Sequence, residues 1–236
     1  MNDLRDFYIL GLPIETSIGE CHFIKIKDYY KFAQYLNLVR MSRDEIAYSL
    51  FSANQTESSK EVKKLTLFEV VTQLPLFTEA YHKVLSKMFN DEGILEKVTQ
   101  DNFTEIRKLI LDMNLLKEEK INPNPIIQKA IERSKRLKSL ESSELNLTNM
   151  ISSIVAFGSS DYEKIVNWTI YQVYMTFLRI ALLKKYDTST LFATVDPDHA
   201  KNIEDWSKDI EIFEDDNHTL SKKEAENISK MISSSH

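Results

Sequence analysis

Residues 165–186 read "IVNWTIYQVYMTFLRIALLKKY", the longest nearly apolar run in the chain. A membrane span needs about 20 consecutive, predominantly apolar residues. Here Asn167, Gln172 and Arg179 interrupt the run, and Lys184 and Lys185 close it. The interruptions are ordered. Thr169, Gln172, Thr176 and Arg179 recur at steps of three and four, so they share one narrow helical face. Trp168, Tyr171, Met175, Leu178 and Leu182 form one apolar stripe, and Val166, Ile170, Val173, Phe177 and Ile180 form a second beside it. A helix that is apolar over most of its circumference is a central core helix, or lies partly under a partner. The run predicts a soluble helix, not a span.

Working outward, the 236 residues suffice for one large domain with a real core. The composition is 42% hydrophobic and 28% charged with a net charge of −6, which is ordinary for a soluble protein and gives no basis for a nucleic-acid surface. Only 4 Gly and 5 Pro occur, too few turn-makers for a sheet-rich fold. A lone cysteine, Cys21, excludes an internal disulfide framework and suits a reducing compartment. The opening "MNDLRDFYILGLPIETS" has too short an apolar run for a signal peptide. A cytosolic location is expected.

The expected fold is mainly α, a helical domain over 1–213 with a small N-terminal β-hairpin at about residues 5–27. "FYIL" (7–10) and "CHFIKIK" (21–27) supply the β-type runs, the second with Ile24 and Ile26 alternating against Lys25 and Lys27. Tyr29, Phe32, Leu36 and Val39 then follow at helical spacing. Capping boxes, in which Ser or Thr precedes Glu by three residues, are read at Ser42–Glu45, Thr66–Glu69, Ser160–Glu163 and Ser221–Glu224. Pro75 interrupts or bends the helix that Thr66 begins. Phe103, Ile106, Ile110 and Met113 mark one side of a helix in 99–116. A basic helix with a solvated surface follows the prolines of "INPNPIIQ", and a short helix ends at Gly158. Residues 52–64 read as a flexible surface segment, 188–208 as a loop or short turn, and 214–236 as a polar, loosely held tail.

Few chemical motifs are present. Four scattered glycines provide neither a phosphate-binding loop nor a dinucleotide fingerprint. Cys21 and His22 are adjacent, so on a strand they point to opposite faces and cannot act as a nucleophile–base pair. The histidines lack zinc-ligand spacing. Asp196, Asp198 and His199 invite a metal reading, but an Asp-Pro turn capping a helix outweighs it. "EDDNHT" (214–219) lacks the glycine of a calcium loop. No catalytic residue, metal or cofactor is therefore assigned. What remains is a surface for interaction: Trp168, Tyr171, Tyr174, Met175, Leu178 and Trp206 are candidate partner-binding residues, of types that dominate binding hot spots or pack adaptably. Aromatic stripes at helical spacing more often fill a core, and that alternative carries the greater weight.

Three segments together resemble a known family: "YILGLPI…FIKIKDYYKFAQYL" in residues 1 to about 36, "NFTEIRKLILDMNLL…NPIIQKAIERSKRLK" in 102–140, and residues 148–213 with "YEKIVNWTIYQVYMTFLRI" and "IEDWSKDIEIF". Their order resembles the tail assembly chaperones of long-tailed bacteriophages that infect Gram-positive bacteria. The resemblance implies a small helical, non-catalytic protein that coats the tape measure protein while tail tube subunits polymerise around it, and that is absent from the finished virion. It implies the tape measure protein as partner, with the tail tube protein and self-association as further contacts, no nucleic acid and no membrane. It also implies the cytoplasm of the infected host. No family residues carry over by position. The rival readings are a neck or tail adaptor retained in the virion, and an enzyme whose site the fold assembles around His199, Asp196 and Asp198.

Overall fold

A computed structural model describes residues 4–122, 124–141, 146–195 and 203–210 of the chain. Among these residues are eleven helices and one two-stranded antiparallel sheet, in the order α1 (Arg5–Leu10), β1 (Ile14–Thr16), β2 (Gly19–Cys21), α2 (Ile26–Arg40), α3 (Arg43–Ser52), α4 (Thr56–Val62), α5 (Leu67–Gln73), α6 (Pro75–Phe89), α7 (Gln100–Met113), α8 (Pro125–Glu141), α9 (Leu147–Ala156), α10 (Tyr162–Ile165) and α11 (Ile170–Ala193). The mainly α fold with an N-terminal hairpin is thus as the sequence predicts.

The hairpin's strands differ from those expected. Ile14 pairs with Cys21 and Thr16 with Gly19, so the strands come from the stretch read as a connection. "FYIL" is instead the end of α1. Its β-favouring side chains are overruled because only Tyr8 turns inward, and Gly11, at φ 66°, ends the helix in a left-handed turn. "CHFIKIK" cannot be one strand, because the consecutive residues Phe23 and Ile24 are both buried, which alternation forbids. Only Cys21 belongs to β2, and Ile26 already opens α2.

Helix α6 is the axis of the larger core. Phe77, Ala80, Tyr81, Val84, Leu85, Met88 and Phe89 are all buried, a stripe wide enough to meet neighbours on several sides. Pro75 does interrupt the preceding helix, and it occupies the first position of α6, where its missing N–H costs nothing. Helices α2, α5 and β2 pack on α6, while the Phe103, Ile106, Ile110 and Met113 side of α7 is buried in the same core. Residues 52–64 are not a loose segment. They contain α4, which lies on α3 with Val62 buried and the buried Ser59 hydroxyl donating to the Ala47 carbonyl at 2.6 Å. A polar sequence hides a helix that needs only two inward residues.

The caps follow the expected chemistry with one shift. Ser42 and Thr66 accept from the amides of Glu45 and Glu69, but Asp161, not Ser160, caps α10. Two further boxes, Thr99–Asn102 and Thr169–Gln172, use a side-chain amide in place of glutamate. The Ser221–Glu224 box and the tail 214–236 lie outside the described residues.

Helix α11 runs on to Ala193, well into the stretch read as a loop. No glycine or proline stands before Pro197 to stop it. Its 24 residues span about 36 Å. The first apolar stripe sends Tyr171 and Met175 into the larger core, and the second sends Val173, Phe177 and Ile180 into a smaller one built with Met150 and Ile154 of α9. A single helix therefore serves two cores. No helix among the described residues is long and apolar enough to cross a membrane.

Candidate partner-binding face

The start of α11 is fixed by Thr169, whose side chain accepts from the Gln172 amide while Gln172 Oε1 accepts from the Thr169 amide at 2.8 Å. Trp168 therefore stands just before the helix instead of on it. Its carbonyl accepts from the Ile26 amide and that of Val166 from the Lys27 amide, each at 2.9 Å, so the entry to α11 is stitched to the entry of α2. The Trp168 side chain is half-buried against the smaller core, as is that of Tyr174.

Tyr171 is buried. Its ring stacks on Tyr8 with centroids 5.2 Å apart, and Tyr8 meets Phe23 edge-on at 5.6 Å. Met175 is half-buried against the larger core. Leu178 lines an open groove of about 530 Å³ with Ala181, Leu182, Lys185, Lys208, Asp209 and Ile210. Trp206 stands near this groove, 41% exposed, with its carbonyl accepting from Arg179. Lys185 and Lys208 both bind Glu204, at 2.8 and 3.2 Å, and their hydrogen bonds hold the Glu204 carboxyl below the usual range.

The six residues singled out in the sequence thus do not make one face. Tyr171 and Met175 serve one core, Trp168 and Tyr174 the other, Leu178 lines the groove, and Trp206 stands in the 203–210 segment that supplies the groove's other wall. Two apolar surfaces were missed. Leu4, Phe7 and Leu10 form an outward ridge along α1, and Leu191, Phe192 and Val195 stand exposed at and just beyond the far end of α11. The three-residue spacing of Leu4, Phe7 and Leu10 signals the first, but only once "FYIL" is read as helix.

Cys21 is fully buried, with Sγ 3.6 Å from Met113 Sδ, and burial pushes its thiol up to about 12. The thiolate is the reactive species, so native Cys21 is expected to resist a disulfide-type thiol reagent at pH 8. Full modification should appear only in denaturant, and labelling of native protein within minutes would show that the core opens readily. Among the described residues no three His, Cys, Asp or Glu side chains converge to hold a metal. Asp196, Asp198, His199 and the 214–219 stretch lie outside those residues.

Residues 2–123 match the family model described as the YomV N-terminal domain, and residues 137–211 match that of the YomV second domain. The chain belongs to the YomV family. It is 39% identical over 237 residues to the SPbeta prophage-derived uncharacterized protein YomV of Bacillus subtilis (strain 168), an overlap covering 98% of this chain and 99% of that relative. No solved structure matches the chain. YomV proteins are phage-derived, in agreement with the origin that the tail-chaperone resemblance implies. The groove and the exposed end of α11 fall at the second YomV domain, whereas the outward ridge of α1 falls at the first.

Proposed function

We propose that this YomV-family protein is a non-catalytic tail assembly chaperone that binds the phage tape measure protein in the host cytoplasm and keeps it soluble while the tail tube assembles. The observation that carries the reading is exposed apolar surface at the far end of α11. Leu191, Phe192 and Val195 are 70%, 64% and 84% exposed at and just beyond the end of α11, and the same helix lends Leu178, Ala181 and Leu182 to an open groove. Such surface on a phage-derived helical protein suits the apolar stripe of a long helical client. Each contact is small, so a client is held by many copies at once and released as tube subunits displace them.

Co-expression with the tape measure protein of the same phage, followed by size-exclusion chromatography, tests this. The tape measure protein should become soluble and co-elute, and Leu191→Asp with Phe192→Asp should lower co-elution several-fold without changing helix content, since both side chains are exposed. A tape measure protein that still aggregates, with the chaperone candidate found instead in purified virions, overturns the reading in favour of a retained neck or tail adaptor.

A further inference from the structure

Arg40 closes α2 and meets carboxylates from two other parts of the chain. Its Nη2 donates to Glu45 Oε1 at 3.1 Å, while its Nη1 donates to the Lys117 carbonyl at 3.4 Å and pairs with Glu119 at 3.7 Å. Glu45 belongs to the first turn of α3, whereas Lys117, Glu118 and Glu119 lie on the connection from α7 to α8. Arg107 holds the same connection through Glu118. Two guanidiniums thus face three carboxylates, so the cluster carries one negative charge in excess when every group is ionised. The nearby Arg43 and Asp44 of α3 are more exposed and pair with each other.

Glu45 bears that excess least easily. Its side chain is 14% exposed, against 43% for that of Glu119. Only one of its oxygens is answered. Oε2 is buried without a hydrogen-bond partner, the Ser42 amide lying near enough to favour the ionised form but not to bond it. A buried carboxylate oxygen without a donor disfavours ionisation. Burial raises the Glu45 carboxyl above its ordinary value; Arg40 opposes this, Glu119 adds to it, and burial prevails.

We propose that Glu45 is a proton-operated selector for Arg40: ionised, it keeps the guanidinium on α3, and protonated, it passes the guanidinium to Glu119, which fastens the connection to the end of α2. One cation is shared between two carboxylates that repel each other. Neutralising Glu45 removes both its attraction for Arg40 and its repulsion of Glu119 in a single step. The chain leaving the first matched segment is therefore held more tightly when Glu45 carries a proton. This inference is independent of the chaperone reading.

Carboxyl NMR of the full chain, with chemical denaturation of Glu45→Gln, Glu119→Gln and the double variant, tests it. Glutamine at 45 keeps the shape of the side chain and removes its charge, so it stands for the protonated state. Glu45 should titrate above the ordinary glutamate value, and Glu119→Gln should lower its midpoint. The folded state takes up this proton before the unfolded state does, so Glu45 adds stability as pH falls through its folded pKa. At pH 7.5, Glu119→Gln should lower the folding equilibrium constant at least about threefold more in the Glu45→Gln background than in the unaltered chain, because only there does Arg40 serve Glu119 alone. A Glu45 that titrates at or below the ordinary value overturns the proposal, and so does a Glu119→Gln effect of equal size in both backgrounds.

Discussion

Arg107→Ala is expected to lower global stability by about 3 kcal/mol, read from chemical denaturation near neutral pH. Arg107 is buried, yet each of its three guanidinium nitrogens has a partner. Nε donates to the Tyr81 hydroxyl at 2.8 Å, one terminal nitrogen donates to the Arg40 and Met41 carbonyls at 3.0 and 3.2 Å, and the other pairs with Glu118. Tyr81 donates in turn to the Val39 carbonyl at 3.3 Å. One side chain on α7 thus answers the carbonyl end of α2, where a helix leaves acceptors unpaired and favours positive charge. An exposed ion pair would contribute about 0–1 kcal/mol, but here the carbonyls and the hydroxyl lose their donor inside the protein, and that penalty dominates. Arg107→Lys should recover only part of the loss, because an ammonium cannot reproduce the planar fork. A loss below about 1 kcal/mol would mean that water replaces the guanidinium and the node is not structural.

Ile154→Ala should cost about 2–4 kcal/mol. Ile154 of α9 is fully buried among Met150, Ile165, Val173 and Ile180, a cluster too small to collapse around the missing atoms. The prediction extends to cooperativity. Tyr171 lies in the larger core and Val173 in the smaller, and the backbone bonds from Ile26 and Lys27 to Trp168 and Val166 tie their entries together. The two matched segments should therefore unfold in one transition, and Ile154→Ala should shift that whole transition. Both tryptophans, Trp168 and Trp206, lie in the second segment, so fluorescence reports it while far-ultraviolet circular dichroism reports every helix. Coincident curves support one folding unit, and separated curves would show two.

The sequence by itself determined the helical class, the buried side of α7, the break at Pro75, two of the caps and the two apolar stripes of α11. All of these rest on spacing within a few turns of one helix, where 3.6 residues per turn convert sequence separation directly into a shared face. Tertiary structure decided the rest. "FYIL" became helix because Tyr8 found Tyr171, 163 positions away, and polar residues 56–62 became helix because Ser59 found the Ala47 carbonyl of α3 and Val62 the larger core. No spacing in the sequence marks Arg107, and only the arrival of the α2 carbonyls makes it a buried node. The candidate face divided for the same reason. A stripe declares that it is apolar, but whether it meets a core, a neighbouring helix or solvent depends on which distant segment covers it. Local periodicity carries no record of that choice, because the free energy that settles it comes from contacts between residues far apart in the chain.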